Sequence, residues 1–288
     1  MKKINPLVSC LILNWNRKEE TCRAIKSVIE QSYKNIEIVL IDNGSTDGSA
    51  AYIKEKFPKI QHIELQKNYG CPGGRNRGLT HCNGEFIFFC DNDGVLHEKA
   101  IENAVEIIGN NNDIYIVTGH VKDFKNAEEI DTKYILNKNV FTQTNLFQGG
   151  VSLHRKLIYT EIDKYPDDYM YGGEETYLSY RILDKDFKIM KSNQVILWHK
   201  KSILARDNSK ETINKWSNTL LNAYQLFPIE NFILFYFYFH TVYFYYAWKM
   251  NLTKYFLRSL FSLNRRFKKY ERIPVSRKSY KKFKQLNK

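Results

Sequence analysis

Residues 36–48, IEIVLIDNGSTDG, join a short apolar run to a cluster of turn-forming residues. A run that is apolar on both faces is typical of a strand that is covered on both sides of a parallel sheet. The run ends at Asp42, and the turn cluster leads into a predicted helix. This stretch therefore predicts a strand–loop–helix unit with polar side chains at the carboxyl end of the strand.

Similar units are predicted on both sides of this stretch. Strands are predicted over 7–13, 60–65, 85–90 and 114–119, and helices over 17–32 and 97–109. Strands that alternate with helices at this spacing indicate βαβ units. They predict an α/β, Rossmann-like fold with a mostly parallel sheet flanked by helices. Such sheets bind ligands at the carboxyl ends of their strands.

The pattern changes after residue 120. We predict a loop-rich connection over 121–145, strands over 146–153 and 187–198, and helices over 174–184 and 210–226. We assign residues 1–226 to one domain with halves 1–120 and 121–226, and residues 227–288 to a carboxyl-terminal appendage.

Charge and cysteine content narrow the class of protein. The net charge is +13, yet residues 258–288 hold twelve basic residues and a single acid, so most of the basicity lies in the tail. The five cysteines form no CxxC pair, which favours a reducing compartment over a disulfide scaffold. We interpret the apolar run after Met1-Lys2-Lys3 as a first strand and not as a signal peptide.

Three polar clusters lie at predicted strand ends or loops. Asp91-Asn92-Asp93 places two carboxylates at positions i and i+2, suited to a hard divalent cation such as Mg²⁺ or Mn²⁺, although a plain polar turn has the same composition. Asp42 could accept hydrogen bonds from a ribose or a base, or it could belong to a capped turn. Residues 70–78, GCPGGRNRG, predict a glycine-rich loop in which Arg75 could bind a pyrophosphate, or a simple strand-to-helix turn.

Two further candidates lie in the second half of the chain. Glu174 and Glu175 follow two glycines at a predicted helix start, where a carboxylate could act as a general base or merely cap the helix. His199 follows the apolar run 195–198 and is either a metal ligand or a structural histidine.

Taken in order, six segments resemble those of family 2 glycosyltransferases with the GT-A fold. The segments are VSCLILNWNR, IVLIDNGSTDGS, NYGCPGGRNRGL, FIFFCDND, YGGEETYLSYRI and WHKKS, and they extend over roughly residues 6–200. Within that family, the rhamnosyltransferase-like enzymes of bacterial surface-polysaccharide biosynthesis are the most similar subgroup.

The resemblance implies a role for each candidate residue. It implies a nucleotide-sugar-binding half over 1–120 and an acceptor half over 121–226. Nucleotide-sugar contacts are implied for Asn14, Asn16, Asp42, Asn68, Arg75, Asn76, Asp91 and Asn92. A metal site is implied for Asp93, Asp91 and His199, with Asp93 the better ligand and a ribose contact as the alternative role of Asp91.

The base assignment stays open because this chain departs from the family pattern. Glu175 stands where the family usually has the catalytic aspartate, and one extra methylene moves the carboxylate by about an ångström. Glu174 is therefore the alternative base. A weaker match is Ser217-Asn218 in the following helix.

The implied activity is inverting, metal-dependent transfer of a hexosyl or deoxyhexosyl group from a UDP- or dTDP-linked sugar to a glycan or lipid-linked acceptor. A nucleotidyltransferase would need a basic phosphate-binding loop after the first strand, where only Arg17 is available. A basic nucleic-acid-binding protein would leave the acidic residues without a role, so we expect no nucleic-acid partner. An inactive transferase fold is a further alternative.

The carboxyl-terminal region predicts contact with a membrane. Residues 232–248 contain eleven aromatic side chains and form a predicted helix that lies in the membrane plane or packs on the catalytic domain. With the basic tail, residues 232–288 would bind an anionic surface, which predicts a cytoplasmic protein held peripherally at the inner face of the cell membrane. We expect removal of residues 258–288 to release the protein from membranes and to spare its fold.

Overall fold

A nine-stranded sheet lies at the centre of the computed structural model, which describes residues 5–124, 140–199 and 208–286. The strands are β1 (Val8–Asn14), β2 (Ile36–Asp42), β3 (Gln61–Glu64), β4 (Phe86–Asp91), β5 (Gly94–Leu96), β6 (Ile114–Asp123), β7 (Phe141–Thr144), β8 (Val151–Arg155) and β9 (Lys188–His199). Their order is β3-β2-β1-β4-β8-β6-β9-β5, and β7 pairs with β9 at the side of this path.

The sheet is parallel in one half and mixed in the other. Strands β3, β2, β1 and β4 run parallel, as the repeated units predict. Strand β8 is antiparallel to both β4 and β6, whereas β6 and β9 are parallel. Strands β5 and β7 are both antiparallel to β9. The predicted α/β class is confirmed, and the mostly parallel description fits the amino-terminal half.

Helices cover both faces of the sheet. They are α1 (Lys18–Ile29), α2 (Ser49–Lys56), α3 (Gly70–Leu79), α4 (Ala100–Gly109), α5 (Glu174–Asp184), α6 (Asn208–Leu226), α7 (Ile229–Tyr238), α8 (Phe244–Lys249), α9 (Thr253–Lys269) and α10 (Arg277–Gln285). Alternate side chains of β1 point to opposite faces of the sheet. Cys10 and Ile12 are buried in the core under α1 and α4, and Leu11 is buried in the core under α3 and α5.

The glycine-rich segment is a helix from its first residue, not a loop that leads into one. Gly70 begins α3 with φ +76°, a left-handed conformation that glycine adopts without strain. Gly74 and Gly78 face the sheet, where a Cβ atom would come within 2.6 Å of Leu13 and Leu11 side-chain atoms. These glycines therefore allow α3 to lie close on the sheet.

Several sequence predictions need correction in the second half. Strand β7 lies inside the stretch 121–145 that was predicted to be loop-rich, and residues 125–139 of that stretch lie outside the described part. Strand β8 begins at Val151, five residues later than predicted, so the Gly149-Gly150 pair precedes the strand instead of lying within it.

The carboxyl-terminal helices pack on the rest of the chain. Phe256 and Leu263 of α9 are buried in one core cluster with Leu220 and Leu221 of α6. Phe283 of α10 stacks on Tyr180 of α5, with ring centroids 3.7 Å apart. The structure argues against the prediction that residues 258–288 can be removed without harm to the fold.

The aromatic stretch is divided by a change in helical pitch. Helices α7 and α8 are joined by the π-helical turn Phe239–Tyr243, and Phe239 is fully buried against the α6–α9 cluster. The inward side of the stretch therefore packs on α6 and α9, as one of the two predicted arrangements requires. Within residues 5–124, 140–199 and 208–286, none of the helices is long and apolar enough to cross a bilayer.

Candidate active site

A cleft of about 610 Å³ opens at the carboxyl ends of the parallel strands. Its walls come from the ends of β1 and β4, the start of α3, the loop before α5 and the start of α6. Its polar and aromatic lining residues include Trp15, Arg17, Arg75, Asp91, Asp93 and Tyr171. The cleft lies where α/β sheets place their ligands.

Asp91, Asp93 and His199 come together at this edge. Strand β9 pairs with β5 so that His199 lies opposite Gly94, next to Asp93 in the chain. One ligand atom from each of the three residues lies within 4.8 Å of the other two, and His199 Nε2 is 3.1 Å from Asp93 Oδ1. The convergence that the resemblance implied is present, and the antiparallel β5–β9 pair produces it.

Arg17 is a site residue whose role the sequence did not suggest. Its Nη1 donates to Asp93 Oδ2 at 2.5 Å, and the two side chains are only 11% and 3% exposed. Asp93 is thus held by Arg17 on one oxygen and by His199 on the other. The only signal in the sequence was the position of Arg17, directly after the Asn-Trp-Asn segment.

Arg75 lies between two carboxylates beneath the cleft. Its Nη2 lies 3.3 Å from Asp91 Oδ1, and the side chain is buried. A Cβ atom on Gly149 would lie 2.4 Å from Glu175 Oε1 and 2.7 Å from Arg75 Nη1. A Cβ atom on Gly150 would lie 1.9 Å from Asp91 Oδ2. The glycine pair before β8 therefore makes room for the charged groups, a role that its position in the sequence did not reveal.

The two glutamates at the start of α5 differ in environment. Burial, followed by the neighbouring Glu175 carboxylate, raises the pKa of Glu174 to about 8. Glu174 Oε2 is buried and has no hydrogen-bond partner among the described residues. Burial also raises the pKa of Glu175, while the positive charge of Arg75 opposes that rise. Glu174 is thus mainly protonated near neutral pH, and Glu175 has a cation beside it.

Burial raises the pKa of Asp91 as well, and the positive charge of Arg75 again acts in the opposite direction. The Asp91 side chain is 40% exposed towards the cleft, in contrast to Asp93. A ligand in the cleft can therefore reach Asp91 directly.

Asn14, Asn16 and Asp42 build the loop that follows β2. The fully buried Asn14 donates through Nδ2 to Asp42 Oδ2 at 2.7 Å and accepts from Thr21 Oγ1 at 2.8 Å. Asp42 Oδ1 accepts from the Ser45 backbone N–H at 2.8 Å. Asn16 Oδ1 accepts from the Thr46 N–H at 2.8 Å. Their hydrogen bonds hold this loop together, and none of the three residues lines the cleft.

Asn68 lines the cleft together with Asn43, which sequence reasoning missed. Asn43 donates to Asn68 Oδ1 and to the Gly70 carbonyl, both at 3.0 Å. Asn92, also a lining residue, accepts from Arg17 Nη1 at 3.4 Å. Asn76 lies elsewhere: its Nδ2 donates to the Tyr165 carbonyl at 2.7 Å, and it borders a separate, shallower concavity.

The loop before Glu174 is held from α6. Gly172 and Gly173 have φ values of +75° and +94°. Their carbonyl oxygens accept hydrogen bonds from Asn218 Nδ2 at 2.7 Å and Asn222 Nδ2 at 2.8 Å. Arg266 of α9 donates to Asn218 Oδ1 at 3.0 Å. The weak sequence match at Ser217-Asn218 thus falls on a residue that positions the glutamate-bearing helix.

The WHKKS segment is described only as far as His199, and its remaining residues, Lys200, Lys201 and Ser202, lie outside the described part of the chain.

A sheet that is parallel up to an Asp-x-Asp strand end, with a histidine beside the second aspartate and paired glutamates at a nearby helix start, is the arrangement expected of a GT-A fold. Residues 9–157, 149 of the 288 in the chain, match the profile of Glycosyl transferase family 2. The chain belongs to this family. Membership in this family favours a glycosyltransferase domain over the nucleotidyltransferase and the nucleic-acid-binding protein.

Relatives by sequence carry the same general description. The chain is 24% identical over 240 residues to glycosyltransferase GlyA of Streptococcus pneumoniae, covering 76% of this chain and 34% of that one. It is 33% identical over 140 residues to an uncharacterized glycosyltransferase of Rickettsia conorii, covering 47% of this chain and 23% of that one. The match thus spans only part of the length of these larger relatives.

Solved structures confirm the fold. Mannosyltransferase PcManGT from Pyrobaculum calidifontis, in complex with GDP-Man and Mn²⁺, superposes with a TM-score of 0.60 and 16% identity over 77% of this chain and 64% of that one. Residues 1–349 of S. aureus TarS, in complex with UDP-GlcNAc, superpose with a TM-score of 0.57 and 16% identity over 75% of this chain and 66% of that one.

Proposed function

We propose that this protein is an inverting, metal-dependent glycosyltransferase that moves a sugar from a nucleotide-diphosphate sugar to an acceptor hydroxyl. The observation that carries the proposal is the meeting of Asp91, Asp93 and His199 within 4.8 Å at the mouth of the strand-end cleft. Arg75 lines the same cleft beside Asp91, and the Glu175 carboxylate lies next to the Arg75 guanidinium, outside the lining of the cleft.

The donor set fits Mn²⁺ or Mg²⁺. Two carboxylates with one imidazole supply mainly hard oxygen ligands and one nitrogen, a combination that suits Mn²⁺ well and Mg²⁺ acceptably. A bound cation would neutralise charge on the departing diphosphate. Asp91, Asp93 and His199 would hold it, and Arg17 stabilises the Asp93 carboxylate from the opposite oxygen.

Glu175 is the proposed general base. Its carboxylate would accept the proton of the acceptor hydroxyl while that oxygen forms a bond to the anomeric carbon. The bond between the anomeric carbon and the diphosphate oxygen breaks, and its electron pair leaves with the diphosphate. Attack from the face opposite the leaving group inverts the anomeric configuration, through a transition state with oxocarbenium character.

Arg75 and Glu174 set the electrostatics around that base. The Arg75 guanidinium favours the ionised form of Glu175, since it opposes the effect of burial on the pKa of that residue. A mainly protonated Glu174 adds little negative charge next to an anionic donor at neutral pH. We therefore assign the base to Glu175 and a neutral supporting position to Glu174.

We further propose a UDP- or dTDP-linked hexose or deoxyhexose as donor and a glycan or lipid-linked hydroxyl as acceptor. The resemblance to rhamnosyltransferase-like enzymes of surface-polysaccharide assembly supports the donor class. The basic tail supports work at the inner face of the cell membrane, where a lipid-linked acceptor would be located.

The deciding experiment is a screen of UDP-, dTDP- and GDP-linked sugars for donor hydrolysis and thermal shift, each with and without Mn²⁺. We expect one donor to raise the melting temperature in a Mn²⁺-dependent manner and to release nucleoside diphosphate. Asp93→Asn is the matched variant that should lose the Mn²⁺ dependence. Release of pyrophosphate would favour a nucleotidyltransferase, and no response to any donor would favour an inactive fold.

A further inference from the structure

The carboxyl-terminal helices expose an extended apolar surface. In the described part of the chain, fourteen of the 23 exposed large apolar side chains lie between residues 229 and 261. The most exposed are Leu234 at 70%, Phe237 at 66%, Trp248 at 66% and Phe261 at 71%. We call the outward side of residues 229–268 the aromatic face. Exposed apolar groups at this density mark an interaction surface.

The aromatic face is one side of a well-packed layer. Its inward side is buried, through Phe239, Ala247, Phe256 and Leu263, in the cluster that also contains residues of α6. The outward side chains therefore belong to folded helices that are fixed by their buried inward side. They are presented to solvent by helices whose opposite side is held in place.

Cations are interleaved with the exposed apolar groups. Along α9, Lys254, Arg258, Phe261, Arg265 and Lys268 recur at intervals of three and four, and all five are exposed. This spacing places them on one stripe, opposite the buried Phe256 and Leu263. Residues 231–270 contain seven lysines and arginines and no acidic residue. Apart from Glu230 at its start, which pairs with Arg277, the aromatic face is thus apolar and carries only positive charges.

We propose that the aromatic face lies on the surface of an anionic lipid bilayer. Tyrosine and tryptophan, which supply six of the fourteen exposed apolar groups, suit the boundary between acyl chains and headgroups. Lysine and arginine on the same face would attract anionic headgroups. A second copy of this chain fits less well, because two such faces would bring like charges together.

The packing ties this face to the active site. Arg266 projects from α9 towards Asn218, which holds the Gly172 carbonyl just before Glu174. Hydrogen bonds through Asn218 therefore connect α9, which carries part of the aromatic face, to the loop that precedes Glu174. The idea that a membrane-bound protein receives a lipid-linked acceptor in its cleft rests on the proposed function. The binding of the aromatic face to the bilayer does not.

The test is flotation of the full-length protein with vesicles of phosphatidylcholine alone or mixed with phosphatidylglycerol, without any substrate. We expect binding to the mixed vesicles and at least tenfold weaker binding to phosphatidylcholine alone. The double variant Phe237→Ser/Phe261→Ser and, separately, Arg258→Gln/Arg265→Gln should each weaken binding to mixed vesicles by about tenfold or more. Ile29→Ser, which changes a side chain that is 53% exposed in α1, is the matched control and should bind like wild type.

Folding and self-association are checked on the same proteins. Thermal unfolding should be unchanged in both double variants, because the altered side chains point to solvent. Equal vesicle binding by wild type and the Phe237→Ser/Phe261→Ser variant would overturn the proposal. So would a dimer in light scattering that this variant abolishes, without vesicle binding by wild type. A protein that binds vesicles but hydrolyses no sugar nucleotide would refute the transferase activity and leave the docking intact.

Discussion

Replacement of Glu175 by glutamine removes the proposed base while keeping the size of the side chain. Glu175 Oε1 lies next to Gly149 and Arg75, so the amide can occupy the same space. General-base catalysis contributes about 10²–10⁴-fold, or roughly 3–5 kcal/mol of transition-state stabilisation. We therefore expect Glu175→Gln to lower kcat by about 10²–10⁴-fold and to leave donor affinity nearly unchanged.

Glu174→Gln is the matched control one residue away. Burial raises the pKa of Glu174, so the side chain is mainly protonated at pH 7, and glutamine imitates that neutral form. We expect kcat for this variant to stay within about tenfold of wild type. A much larger loss would contradict the division of roles between the two glutamates.

The assay follows release of nucleoside diphosphate from the donor that the screen identifies, with water as acceptor, and calorimetry measures donor affinity. Turnover by Glu175→Gln within threefold of wild type would refute its assignment as base. If Glu174→Gln alone lost activity, the base would be Glu174, and its raised pKa would have to fall on donor binding.

Three further predictions concern stability and the cation site. The pKa of Glu174 is raised from 4.5 to about 8 in the folded protein, so the folded state holds a proton that the unfolded state loses between these two values. The free energy of unfolding should therefore fall as the pH rises from 4.5 to about 8. Glu174→Gln should lack this fall in pH-dependent thermal melts. Gly150→Ala should displace the Asp91 carboxylate, which lies 1.9 Å from the new Cβ, and weaken Mn²⁺ binding measured by electron paramagnetic resonance by about tenfold or more. Gly48→Ala is the control: its Cβ meets nothing within 4 Å, and the φ of +78° strains the backbone, so this variant should lose some stability and keep its Mn²⁺ binding. Deletion of residues 258–288 should abolish the cooperative melting transition, since the burial of Leu263, Val275 and Tyr280 stabilises the fold by roughly 1.5–3 kcal/mol per side chain. A deleted protein that melts like wild type would contradict the packing described for α9 and α10.

The sequence predicts long, strongly patterned elements well and short ones poorly. The apolar runs at β1, β2, β4 and β6 identify buried strands because each is long enough to show its burial on both faces. Strand β5 has only three residues, and β7 reads Phe-Thr-Gln-Thr, so neither carries a pattern that local reasoning could detect. Both form because β9 offers them a free edge for pairing.

The candidate site divides in the same way. The carboxylates Asp91, Asp93 and Glu175 could be named from composition and order, since the chemistry needs acidic groups at strand ends and helix starts. The contribution of Arg17 could not be predicted from the sequence, because its hydrogen bond to Asp93 joins residues that are 76 positions apart. The same holds for Gly149 and Gly150, whose missing side chains matter only because Glu175, Arg75 and Asp91 lie against them.

The amino-acid sequence by itself determined the α/β class, the positions of the acidic groups and the concentration of aromatic and basic residues at the carboxyl end. These follow from local periodicity, turn chemistry and composition, which act over a few residues. The tertiary structure alone decided that Arg17 binds Asp93, that Arg75 lies beside Glu175, and that helices α9 and α10 pack on α6 and α5. Those outcomes depend on strand pairing and burial between distant segments, which no local pattern specifies.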